Sequence, residues 1–96
     1  MILEQAVLHI KNDQSKAFEV DFKIAANIIC KMAGYKSHQL LKCLESDDKY
    51  LLLIEWEKLE DHTIGFRNSE EYQNWKRRLH HYYQPFPIIE RYKVVN

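Results

Sequence analysis

The octapeptide Lys49–Trp56, Lys-Tyr-Leu-Leu-Leu-Ile-Glu-Trp, constrains the fold more than any other stretch. In an extended chain, successive side chains leave the backbone on opposite sides. Leu51, Leu53 and Glu55 then share one face, and Tyr50, Leu52, Ile54 and Trp56 share the other. Both faces are largely apolar, so this strand needs cover on both. The rest of a 96-residue chain can supply helices to one face of a small sheet and little to the other. A second copy of the chain is the simplest cover. We therefore expect a homodimer with sheet packed on sheet.

Around this strand the hydrophobic periodicity sets the order of elements. Ile2–Lys11 alternates imperfectly, with Ile2, Glu4, Ala6, Leu8 and Ile10 on one face and Leu3, Gln5, Val7 and His9 on the other. This is a first strand. Asn12-Asp13-Gln14-Ser15 is a turn with capping residues, after which the period becomes helical. Phe18, Phe22, Ala25, Ile29 and Met32 form one stripe, Val20 and Ile24 lie off it, and Gly34 stands where a helix C-cap would sit. Tyr35–Leu44 reads as a second strand, with Leu40 and Leu44 on one face and Leu41 and Cys43 on the other. Ser46-Asp47-Asp48 then turns the chain into the 49–56 strand. Leu59–Phe66 is a short helix, and Ser69 caps the next one, with Glu70 and Glu71 in its first turn. Tyr72, Trp75, Leu79 and Tyr83 line one face of that helix and Tyr82 flanks it. Gln84-Pro85-Phe86-Pro87 stops it, and Ile88–Val95 is a last strand.

The expected fold class is α+β: one ferredoxin-like β-α-β-β-α-β domain over residues 1–96, a four-stranded antiparallel sheet with helices on one face. Fourteen basic and fourteen acidic residues cancel, which argues against a non-specific nucleic-acid binder. No apolar run reaches the length of a membrane span, and Met1–Ile10 contains Glu4 and no basic leader. A cytoplasmic protein with no nucleic-acid or membrane partner is expected. Cys30 and Cys43 are expected to be free and buried.

The chemistry that the residues allow is narrow. His62 falls three residues after Leu59 and four before Phe66, so it faces inward with them. It is either a satisfied core histidine or a proton acceptor or donor in an aromatic pocket. Trp56, Phe66, Tyr72, Trp75, Tyr82, Tyr83 and Phe86 are a heavy aromatic load for half of a small domain. They serve as core, or as the walls of a cavity for a small planar compound. Arg67 is either surface charge or, turned inward, a partner for an anionic oxygen. Lys76, Arg77, Arg78, His80 and His81 spread around the outer face of a helix as a solvated run. No His or Cys spacing suits a closed metal site, no Gly-rich phosphate loop is present, and no serine lies in an elbow motif.

The run Trp56-x-x-Leu59-x-x-His62-x-x-Gly65-Phe66-Arg67-x-Ser69-x-x-Tyr72-x-x-Trp75, followed by Tyr82-Tyr83-x-Pro85-Phe86-Pro87-x-x-Glu90, resembles the antibiotic biosynthesis monooxygenase domain. The resemblance covers nearly the whole chain, because the element order also fits. It implies a dimeric α/β barrel with a pocket in each subunit between sheet and helices. It also implies oxidation of a small aromatic, phenol- or quinol-type substrate by molecular oxygen, with no cofactor. By that resemblance His62 is the base or donor, Arg67 the anion partner, and Trp56, Tyr72 and Trp75 the walls. Two departures stand out. A second histidine that many members carry before the last helix is replaced by Ser69-Glu70-Glu71-Tyr72. The Asn, Trp and His of haem-degrading relatives are also missing: the first strand has no Asn, Phe66 stands for the Trp, and Lys76 lies near the His position. Haem is therefore disfavoured. The rival expectations are a non-catalytic ligand-binding or stress-response dimer of the same fold, and a purely structural dimerisation domain whose cavity is filled by its own side chains.

Overall fold

The computed structural model describes residues 1–96. Four strands form one antiparallel sheet: β1 (Ile2–His9), β2 (Tyr35–Lys42), β3 (Lys49–Trp56) and β4 (Ile89–Lys93), in the order β2-β3-β1-β4. Helices α1 (Ser15–Ile29) and α2 (Glu70–Leu79) lie on one side, giving the expected ferredoxin-like α+β fold. A π-helical turn (Asp61–Phe66) precedes α2 and a 3₁₀ turn (His80–Tyr82) follows it.

The pairing register fixes the faces. Ala6 lies opposite Leu52, Leu8 opposite Tyr50 and Glu4 opposite Ile54, and this face is buried under the helices. Phe18, Phe22, Ala25 and Ile29 of α1 and Trp75 and Leu79 of α2 close over it, as the helical stripes require. On the opposite face Val7, Leu51 and Leu53 are only half-buried, and Leu41 and Tyr92 are 43% and 45% exposed. That is the face for which the chain has no helix of its own. No helix is long and apolar enough to cross a membrane.

Several local expectations are corrected. The turn before α1 makes no side-chain cap; Asp13 takes a left-handed backbone and the Ser15 hydroxyl donates to Asp48 Oδ1 at 2.7 Å. Helix α1 ends at Cys30, so Gly34 is not its cap; it sits at the entry to β2 with φ of 83°. The thiols of Cys30 and Cys43 are free but not buried, because Cys30 has rotated off the apolar stripe and Cys43 lies past the end of β2. Leu44 likewise falls outside the sheet and is 94% exposed. Leu59 does not turn inward with His62: the wider π turn starts at Asp61 and leaves Leu59 40% exposed. Ser69 caps α2 as expected, its Oγ accepting from Tyr72 N at 3.0 Å.

Candidate functional site

A small cavity lies between the sheet and α2, with a volume of about 40 Å³. Its floor is the buried face of β1 and β3; its walls come from the π turn, α2 and the segment after the 3₁₀ turn. Seven of the side chains that the sequence nominates for a site line it: His62, Phe66, Arg67, Tyr72, Trp75, Tyr83 and Phe86. Trp56 and Tyr82 do not. Trp56 is fully buried beneath His62, the two rings nearly parallel at 19° with centroids 5.7 Å apart. Tyr82 packs on Phe18 and donates its hydroxyl proton to Asp21.

His62 sits inside the π turn, 2% exposed. That turn adds a residue to the helical circuit, so the Arg67 amide bonds back to the His62 carbonyl at 3.2 Å, five residues away. The His62 Nε2 atom lies 3.4 Å from Glu4 Oε1, and Nδ1 has no hydrogen-bond partner. Burial, aided by the positive charges of Arg67 and Arg91, pushes the imidazole down to about 4. It is neutral at neutral pH. Burial also raises the Glu4 carboxyl, while the hydrogen bond from Trp56 and the charges of Arg67 and Arg91 pull it back. Trp56 Nε1 donates to Glu4 Oε1 at 2.9 Å.

Sequence reasoning passes over two members of this site. Glu4 is one; a lone carboxylate on an otherwise apolar strand face is the signal for it. His80 is another. The basic run of which it is part is not wholly solvated: the 3₁₀ turn brings His80 to the cavity, edge-on to Phe86 at 4.9 Å. Burial, with Lys76 and Arg67 nearby, pushes it down to about 4 as well. Tyr83, from the nominated aromatic set, also lines the cavity, and burial first, then Glu4 and Tyr72, hold its hydroxyl above the ordinary tyrosine range. Arg67 is exposed at the rim, its guanidinium 5.4 Å from the centre of the Tyr72 ring.

The arrangement can therefore offer a neutral imidazole with one unpartnered nitrogen, a second neutral imidazole and a cation at the mouth, all among aromatic rings. No group of three or more His, Cys, Asp or Glu side chains converges to hold a metal ion.

The model of the family described as antibiotic biosynthesis monooxygenase matches residues 1–78. The chain belongs to that family. A relative in Bacillus subtilis strain 168, the uncharacterized protein YczJ, is 55% identical over 95 residues, covering 99% of this chain and all of the relative. Among solved structures, a candidate antibiotic biosynthesis monooxygenase from Bordetella bronchiseptica superposes with a TM-score of 0.93 at 22% identity, covering 99% of this chain and 97% of its own. SnoaB from Streptomyces nogalater, a cofactor-independent oxygenase, superposes with a TM-score of 0.85 at 13% identity, covering 99% and 93%. At those identities the two structures show a common fold.

Proposed function

We propose that the protein is a cofactor-independent monooxygenase acting on a small aromatic, quinol-type compound, and that it works as a homodimer. The observation that carries this reading is the neutral, buried His62 with an unpartnered Nδ1 in an aromatic-lined cavity. A neutral imidazole presents a lone pair at Nδ1; burial makes it a weak base on its own, and the anion formed beside it in a dry site is what stabilises the imidazolium. In the reaction His62 removes a proton from an acidic phenol or an anthrone-type ring CH₂. Arg67 at the rim stabilises the resulting anion. That anion passes an electron to O₂, the radicals join as a carbon hydroperoxide, and loss of water leaves a carbonyl. The sum is CH₂ + O₂ → C=O + H₂O, with the substrate itself as reductant. The membership of the family and the fold shared with a cofactor-independent oxygenase support this reading.

The cavity volume bears on the substrate. About 40 Å³ holds a few water molecules, against roughly 300–1,000 Å³ for ordinary ligand sites. Entry of even one ring requires the cavity to widen, and Arg67 and Phe86 are lining side chains exposed enough to move aside. Small substrates are therefore preferred. A second reading is a non-catalytic or stress-response dimer that only holds a small ligand; it is favoured by Ser69-Glu70-Glu71-Tyr72 standing where many family members carry a second histidine.

The test is aerobic turnover of hydroquinones and anthrone-like phenols by the parent protein and by His62→Ala. Loss of turnover in His62→Ala is expected; equal rates in both would remove His62 from the mechanism. Tight ligand binding by native mass spectrometry, with no product formed in air, would establish the second reading instead.

A further inference from the structure

We propose that Glu4 is a positioning residue that fixes the tautomer and orientation of His62, with Trp56 holding Glu4 in turn. Three elements converge to do this: β1 brings Glu4, β3 brings Trp56 and the π turn brings His62. Glu4 is the sole acid on the buried face of β1, among Ala6, Leu8 and Ile10, where packing alone would call for another apolar side chain. Its Oε1 is 2.9 Å from Trp56 Nε1 and 3.4 Å from His62 Nε2. An indole N–H can only donate, so that oxygen is fixed as an acceptor. Facing an acceptor, His62 Nε2 carries the proton, and the lone pair is left on Nδ1, the nitrogen with no protein partner. The Trp56 ring stacked on the imidazole limits its rotation. Without Glu4 neither ring nitrogen of His62 has a partner in the protein, and only the modest intrinsic preference of imidazole for Nε2–H is left to set the tautomer.

The inference rests on the reading of His62 as the base, but its primary test does not depend on turnover. Proton–nitrogen correlation NMR on ¹⁵N-histidine-labelled protein near neutral pH reports which ring nitrogen bears the proton. The parent is expected to show the Nε2–H form at His62. Glu4→Gln keeps a side-chain oxygen for both donors and should keep that form; Glu4→Leu should show a mixture or the Nδ1–H form. In turnover of whichever quinol the parent accepts, Glu4→Gln should stay close to the parent. Glu4→Leu should lose roughly 10- to 100-fold in kcat with little change in KM. An Nδ1–H form in the parent would overturn the inference whatever the variants do, and so would an unchanged Nε2–H form in Glu4→Leu. If the parent turns over no quinol or phenol, the proposed reaction fails, and the tautomer measurement still decides the role of Glu4.

Discussion

Gly34 and Asp61 meet so closely that a methyl group on Gly34 would lie 2.0 Å from Asp61 Oδ2. Gly34 is also held at φ of 83°, and its carbonyl accepts from Glu57 N at 2.8 Å. The entry to β2, the exit from β3 and the start of the turn that carries His62 are thus pinned at one point. The Asp61 carboxylate is itself engaged, accepting from Lys58 N at 3.0 Å.

Gly34→Ala should therefore lower stability by about 1–3 kcal/mol, through the left-handed backbone and the displaced carboxylate. Adding Asp61→Ala removes the two carboxyl atoms at 2.0 and 2.1 Å and leaves Cβ at 2.7 Å. The pair should then cost less than the sum of the single changes. Urea unfolding of the four proteins measures this; strict additivity would show that the backbone alone sets the cost.

Acid should weaken the fold through two imidazoles. His62 and His80 are each held at about 4 against an ordinary 6.5. Their native pKa values are lowered, so the unfolded chain binds more protons between those limits. The stability they protect is complete above about pH 6.5 and drains away as pH falls toward 4. A fully buried group of this kind would give up about 2 kcal/mol by pH 5, and the partly exposed His80 gives up less because solvent screens its charge. Glu4 acts in the opposite sense, because its raised carboxyl takes up a proton more readily in the folded state. Comparing His80→Phe with the parent by urea unfolding at several pH values isolates one imidazole. The variant should lose less stability on acidification, and parallel pH profiles would contradict the assignment.

Ser69 joins the π turn to α2: its Oγ accepts from Tyr72 N at 3.0 Å and donates to the Phe66 carbonyl at 2.6 Å. Ser69→Ala should cost about 1 kcal/mol and Ser69→Asp distinctly less, since an acid also caps and suits the helix N-terminus. Chemical denaturation decides it. Equal losses in the two variants would mean that the bond to Phe66, which an Asp cannot make, dominates.

The uncovered sheet face makes a claim about assembly. Leu53 lies at its centre, half-buried beside Gln5 and Gln39. In a homodimer packed sheet on sheet, Leu53→Arg places a charge inside the interface and should yield single chains. Sedimentation at micromolar concentration distinguishes the two species. A parent that sediments as a stable single chain would exclude the sheet-on-sheet dimer.

Periodicity makes most of this fold legible. The strand alternation and the stripe from Phe18 to Ile29 give the right elements in the right order, because each follows from one buried face. The π turn is not legible: one extra residue per circuit leaves composition unchanged, and only Leu59 turning outward betrays it. Gly34 invites reading as a helix cap because glycine marks any left-handed residue, wherever it falls.

The candidate site is legible in its aromatic walls and in His62, and less so in its polar groups. Periodicity says which side of an element is buried but not which buried side chain borders open space. Trp56 and Tyr82 belong to the same apolar stripes as the cavity liners, yet their polar tips are taken up by Glu4 and Asp21. His80 is hidden in a basic run whose course changes only when the helix tightens into a 3₁₀ turn.

The flat stacking of Trp56 on His62 gives the molecule a built-in optical gauge. Indole emission is quenched by a neighbouring imidazolium, and the other tryptophan, Trp75, meets Phe66 and Phe22 edge-on instead. A Trp75→Phe protein would therefore dim when His62 gains a proton and brighten when it loses one, so proton traffic at the buried ring could be followed without a label.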